Sequence, residues 1–294
     1  MAPMLGVRRI LRAIRQAVAS MIEHDSVNVA QSAAYTAIGA LFPALIVAAA
    51  MVALLPEVNT FKIEAGAFFD QVLPSNVFPL VTSYFVTPTG ADGKPHTTGA
   101  LVAAMFVSLM GASGTIATLM DGLHRATGVP ANCWSFWQKR IRSLVLVPIS
   151  LVPLSIASVL VVFGRFITEW VAEHLMVEAR PTFFALALVA RWTVSLAGVA
   201  GLTALIYHMC VPSADRTTPR MSWLQTLPGA IVATAMWFLS TILFGWYVTR
   251  FANYSAVYGS LGAGIALLVW LYLVALSTLF GAEFNEQFWR DRGI

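Results

Sequence analysis

Long apolar runs alternate along the chain with short polar connections. A helix needs about 20 apolar residues to cross a bilayer. Six runs reach that length: about Ala30 to Leu55, Gly99 to Met120, Ser143 to Gly164, Thr182 to Cys210, Pro228 to Val248 and Leu261 to Ala282. All are rich in Leu, Ala, Val and Ile, and five of the six carry no charge. A buried helix of a water-soluble protein is shorter and keeps a polar stripe. The pattern therefore predicts an all-α membrane protein with six transmembrane helices. The fourth run is long enough to tilt or protrude.

The segments outside these runs are patterned too. Leu5, Ile10, Leu11, Ile14, Val18 and Met21 recur at helical spacing beside Arg8, Arg9, Arg12 and Arg15. This predicts an N-terminal amphipathic helix over 1–27 lying on the cytoplasmic membrane surface; binding of anionic lipid or RNA is the sharper alternative. Arg12 and Arg15 interrupt any apolar core a cleavable signal would need. The connection from Pro56 to Thr98 carries Phe61, Phe68 and Phe69, then Phe78, Tyr84 and Phe85 after Pro74. It reads as two short helices on the outer interface, followed by an exposed, turn-rich stretch. The expected organisation is the N-terminal helix (1–27), one membrane domain (28–288) and a short cytoplasmic tail (289–294).

Composition sharpens this picture. Of the 294 residues 58% are hydrophobic and 11% are charged, against roughly a quarter charged in soluble proteins. A disordered chain, a fibrous repeat and an ordinary soluble enzyme are excluded. With the N-terminus inside, twelve of the 18 Lys and Arg fall on the cytoplasmic side, five outside and Arg191 within a span. That bias places both termini in the cytoplasm. Cys133 and Cys210 form no C-x-x-C pair and read as unpaired thiols on the reducing side.

Few residues offer chemistry. Arg191 lies nine residues into the fourth run, roughly 13 Å deep at about 1.5 Å per residue. An arginine there costs about 2.5–3.5 kcal/mol on insertion. Ser108, Ser155, Ser240, Thr241 and Trp270 fall at similar depth in other runs, with Pro43 in the first. Together they form a candidate anion- or substrate-binding layer. The alternative is that Arg191 snorkels outward or pairs with carbonyls near the Pro43 kink.

Tyr35, Asp121, His124, Arg125, Glu283 and Asn285 gather at the cytoplasmic ends, as a gate or as a structural ion-pair cluster. A carboxylate at a helix C-terminus is mildly unfavourable, so Asp121 and Glu283 call for cationic partners, with Arg125 and Arg140 as candidates. Tyr258, Gly259, Gly262 and Gly264 are an outer hinge or ordinary small-residue packing. The run Trp134, Phe136, Trp137, Lys139, Arg140, Arg142 is an interfacial anchor suited to anionic lipid head groups. The five histidines (His24, His96, His124, His174, His208) form no H-x-H or H-x-x-x-H pair, so no metal or other cofactor is expected.

Several motifs carry a family resemblance. The first run contains Ser32-Ala33-Ala34-Tyr35-Thr36 and Leu41-Phe42-Pro43; the second ends in Asp121-Gly122-Leu123-His124-Arg125-Ala126 before Gly128-Val129-Pro130. Tyr258-Gly259-Ser260-Leu261-Gly262, Trp270-Leu271-Tyr272 and Gly281-Ala282-Glu283-Phe284-Asn285 follow. In order and spacing the chain resembles the YihY/BrkB family. That resemblance implies a six-helix protein of the bacterial inner membrane, from a family linked to virulence and transport and bearing an older ribonuclease BN-like label. Metal-assisted phosphodiester hydrolysis needs clustered His and carboxylate ligands, which the scattered histidines do not supply. The expectation is a non-enzyme that binds membrane lipids and no nucleic acid. It is a transporter, exporter or lipid-translocating protein for an anionic or amphiphilic substrate; the alternatives are an envelope scaffold and, behind it, a membrane-bound hydrolase using Asp121, His124 and Glu283.

Overall fold

The computed structural model describes residues 2–53, 98–130, 133–173, 180–212, 221–250 and 261–290. Among these every regular element is a helix: α1 (Ala2–Glu23), α2 (Ser26–Ala53), α3 (Thr98–Ala126), α4 (Phe136–Glu173), α5 (Arg180–Cys210), α6 (Trp223–Arg250) and α7 (Leu261–Arg290). The stretches Val102–Ala126, Phe184–Cys210, Trp223–Arg250 and Gly264–Arg290 are long and apolar enough to cross a membrane. The expected outer-interface helices lie outside the described residues, as do Tyr258 and Gly259.

Most helices outrun the apolar segments that announced them, because local polar devices fix their ends. At the start of α4 the Ser135 amide donates to Gln138 Oε1 (3.1 Å) and the Gln138 amide to Ser135 Oγ (3.4 Å), a capping box. Before α6 the Ser222 amide donates to Gln225 Oε1 at 2.7 Å, and the Gln225 amide to the Ser222 carbonyl at 2.9 Å. α3 stops where Gly128 adopts φ +67°. The Val129 amide then reaches the His124 carbonyl (2.9 Å) and the Gly128 amide that of Arg125 (3.3 Å). Those paired returns are a Schellman cap, which favours glycine at the left-handed position.

The chain divides into two compact units. The first comprises Met1–Val27, Met120–Phe238 and Leu276–Ile294; the second, Asn28–Leu119 and Leu239–Ala275. In the first, α6 and α7 touch backbone to backbone. A Cβ on Gly281 would stand 2.5 Å from the Gly229 carbonyl oxygen and 2.6 Å from Ala233 Cβ. Tyr207 of α5 donates to the Thr278 carbonyl, and the Gly229 amide donates to Asn285 Oδ1 at 3.1 Å.

α1 belongs to this unit and adds a protein partner, α7, to the expected amphipathic helix. Its Ala13, Ala17 and Met21 are buried against Phe280 and Phe284 of α7. Arg9 lays its guanidinium over the Phe288 ring at 4.8 Å and donates to the Phe288 carbonyl at 2.7 Å. Gln287 reaches Ser20 Oγ at 3.0 Å. The structure divides the apolar positions marked by the periodicity between two faces of α1. Ile14 and Met21 turn toward α7, while Leu11, Val18 and Ile22 stay exposed beside Arg12 and Arg15.

In the second unit, a Cβ on Gly111 of α3 would lie 2.8 Å from Ala40 Cβ of α2. Thr36 and Thr115 join their hydroxyls at 3.1 Å beside this contact. Tyr35, Thr36, Gly39, Phe106 and Met110 help line a shallow, mostly apolar groove of about 430 Å³.

Candidate functional site

The expected midplane residues divide between the units. Ser108, Ser240, Thr241 and Trp270 fall in the second, and the Trp270 indole donates to Thr241 Oγ1 at 3.2 Å. That contact joins two residues selected by depth alone. Arg191 and Ser155 fall in the first unit, where Ser155 is exposed on α4.

The hydroxyl next to Arg191 on its own helix is Ser195. Residues at i, i+4 and i+7 share a helix face, so Arg191, Ser195 and Gly198 line one side of α5. A Cβ on Gly198 would meet the Pro153 carbonyl of α4 at 4.0 Å, which directs that face toward α4. Ser195 is 6% exposed, and neither its Oγ nor the buried Arg191 Nε has a hydrogen-bond partner among the described residues. Two adjacent donors thus stand unsatisfied inside an apolar helix. Each unmet buried polar group costs about 1–3 kcal/mol. Counting depth across different spans missed Ser195; the four-residue spacing along one span contained it. The indole N–H of Trp237 on α6 is also buried without a partner among the described residues.

At the other end of the first unit the charged residues are engaged, with partners other than those expected. Lys139 pairs with Asp121, and His24 Nδ1 meets Glu283 Oε1 at 2.8 Å. Of the expected cations, Arg125 lies 3.8 Å from Asp25 at the exposed surface rather than on Asp121 or Glu283. The reason is geometric: α4 carries Lys139 past the end of α3, and the turn after α1 returns His24 to α7. Asn285 is buried and committed to Gly229 and to Met221 Sδ. Tyr35 belongs to the second unit and is 76% exposed.

His124 is buried, and its Nε2 faces the Cys210 carbonyl at 2.8 Å. That acceptor requires a proton on Nε2 and leaves Nδ1 to accept from the Cys133 thiol at 3.7 Å in the neutral ring. Burial pushes the Cys133 thiol up from its ordinary range. The Trp134 ring stands edge-on to His124 at 5.0 Å, with the Arg142 guanidinium 4.3 Å above it. Phe136 and Trp137 are more than 70% exposed. Among the described residues no three His, Cys, Asp or Glu side chains gather as a metal site. Gly262 and Gly264 lie in the first turn of α7.

Long apolar helices with few charges, most of which stand at the helix ends, define a multi-pass membrane protein. The chain belongs to the virulence factor BrkB family, whose model matches residues 17–292. It is 29% identical to the ribonuclease-like protein YfkH of Bacillus subtilis over 262 residues, covering 89% of this chain and 90% of that one. It is 26% identical to a UPF0761 membrane protein of Ralstonia nicotianae, covering 96% of this chain and 62% of that longer protein. A UPF0761 membrane protein of Tolumonas auensis is also 26% identical, over 89% of this chain and 80% of its own length. No solved structure matches. These relatives accord with the bacterial inner membrane as its location.

Proposed function

We propose that this protein moves an anionic or amphiphilic substrate, such as an anionic lipid, across or within the inner membrane through six spans with both termini cytoplasmic. The observation that carries the reading is the donor pair Arg191 Nε and Ser195 Oγ, buried side by side on α5 and unpartnered among the described residues. A guanidinium Nε and a hydroxyl held in an apolar span without an acceptor among the described residues suit a carboxylate or phosphate from outside the protein. Snorkelling accounts for the charge but not for the buried hydroxyl beside it. Hydrolysis is the weaker reading, because Asp121, His124 and Glu283 are occupied by Lys139, the Cys210 carbonyl and His24.

The test pairs thermal stability with transfer of a fluorescent anionic phospholipid in proteoliposomes, for wild type, Arg191→Leu and Ser195→Ala. Expected is unchanged or higher stability for Arg191→Leu, since the insertion cost disappears, with transfer reduced about tenfold or more (~1.4 kcal/mol per decade). Ser195→Ala should lose less. A stable Arg191→Leu protein with full transfer overturns the assignment, and absence of transfer by wild type favours a scaffold.

A further inference from the structure

Glu283 is the most completely buried charged side chain among the described residues, at 0% exposure. Its two oxygens differ. Oε1 faces His24 Nδ1 at 2.8 Å and receives the Ser26 hydroxyl at 3.4 Å, while Oε2 is buried with no partner among the described residues. The two donors flank Asp25, whose φ of +59° is left-handed. A non-glycine residue in that conformation carries strain, although Asp tolerates it better than most. Here the turn ends α1, starts α2 and brings both neighbouring side chains onto one carboxylate.

Burial of an ionised carboxylate with one bare oxygen is costly, and neutralisation relieves that cost. A multivalent cation would need about six oxygen ligands, whereas the site offers one free oxygen and one hydroxyl. A proton needs one. His24 is 30% exposed and supplies the route: a proton taken up at Nε2 is matched by release of the Nδ1 proton to Glu283, and the reverse steps return it.

We infer that Glu283 and His24 form a proton-binding site that takes up and releases one proton at the junction of α1, α2 and α7. This is independent of the Arg191 reading. Other charged groups surround the pair: Glu23 on α1, Asp25 with Arg125 of α3, and Glu286 and Arg290 on α7. Glu23 and Glu286 oppose negative charge on Glu283, and Arg290 offsets that of Glu286.

The test is infrared titration of the intact protein in nanodiscs, following the C=O stretch of protonated carboxyl groups from about pH 5 to about pH 8. One titrating buried carboxyl band is expected, absent in Glu283→Gln and displaced in His24→Asn, which removes the imidazole facing Oε1. No titrating band in wild type overturns the proposal, as does a band that survives Glu283→Gln. If Glu283→Gln does not fold, an unmoved band in His24→Asn overturns it.

Discussion

At the residue scale, small side chains decide where backbones meet. Gly281 and Gly229 leave no room for a Cβ because each faces the other's carbonyl oxygen. Gly201 has open space around the same position. Gly281→Ala should therefore lower thermal stability by an amount typical of overpacking, about 1–3 kcal/mol. Gly201→Ala should stay within about 0.5 kcal/mol or gain slightly from helix propensity. Thermal melts in one detergent check both; equal effects at the two positions would contradict the close approach.

At the scale of elements, α1 is a strap across the end of α7. Small buried residues, a cation over Phe288 and the Gln287–Ser20 bond hold it. Ala17 is 0% exposed, so Ala17→Phe should lift the helix, and amide exchange over residues 9–23 should accelerate at least tenfold (~1.4 kcal/mol). Unchanged protection would mean that α1 does not depend on this face. The exposed strip of Leu11, Val18 and Ile22 beside Arg12 and Arg15 has the composition of a helix touching anionic lipid. Arg12→Glu with Arg15→Glu should therefore weaken the effect of anionic lipid on stability while leaving the melt in neutral detergent nearly unchanged.

At the scale of the whole molecule, the proposed topology follows from the distribution of Lys and Arg. Cysteine labelling at Gly93 and after Ile294, in a background lacking Cys133 and Cys210, should report opposite sides of the membrane. Labelling from the same side would remove the six-span arrangement and the cytoplasmic placement of the Glu283 site with it.

The sequence by itself determined the class. Apolar runs of bilayer length can be satisfied only as helices, since a backbone in hydrocarbon must bond to itself. The helices over those runs and the motif Gly281-Ala282-Glu283-Phe284-Asn285 were readable for that reason, and so was the family. Partnership was not. Whether Glu283 meets Arg125 or His24, and whether Met21 faces lipid or Phe280, depend on rotation and crossing of helices. Hydrophobicity fixes which segments leave water, because it scales with area and has no direction. Directional contacts, such as the Gly229–Gly281 approach and the turn at Asp25, fix which faces meet, and only the tertiary structure decided them.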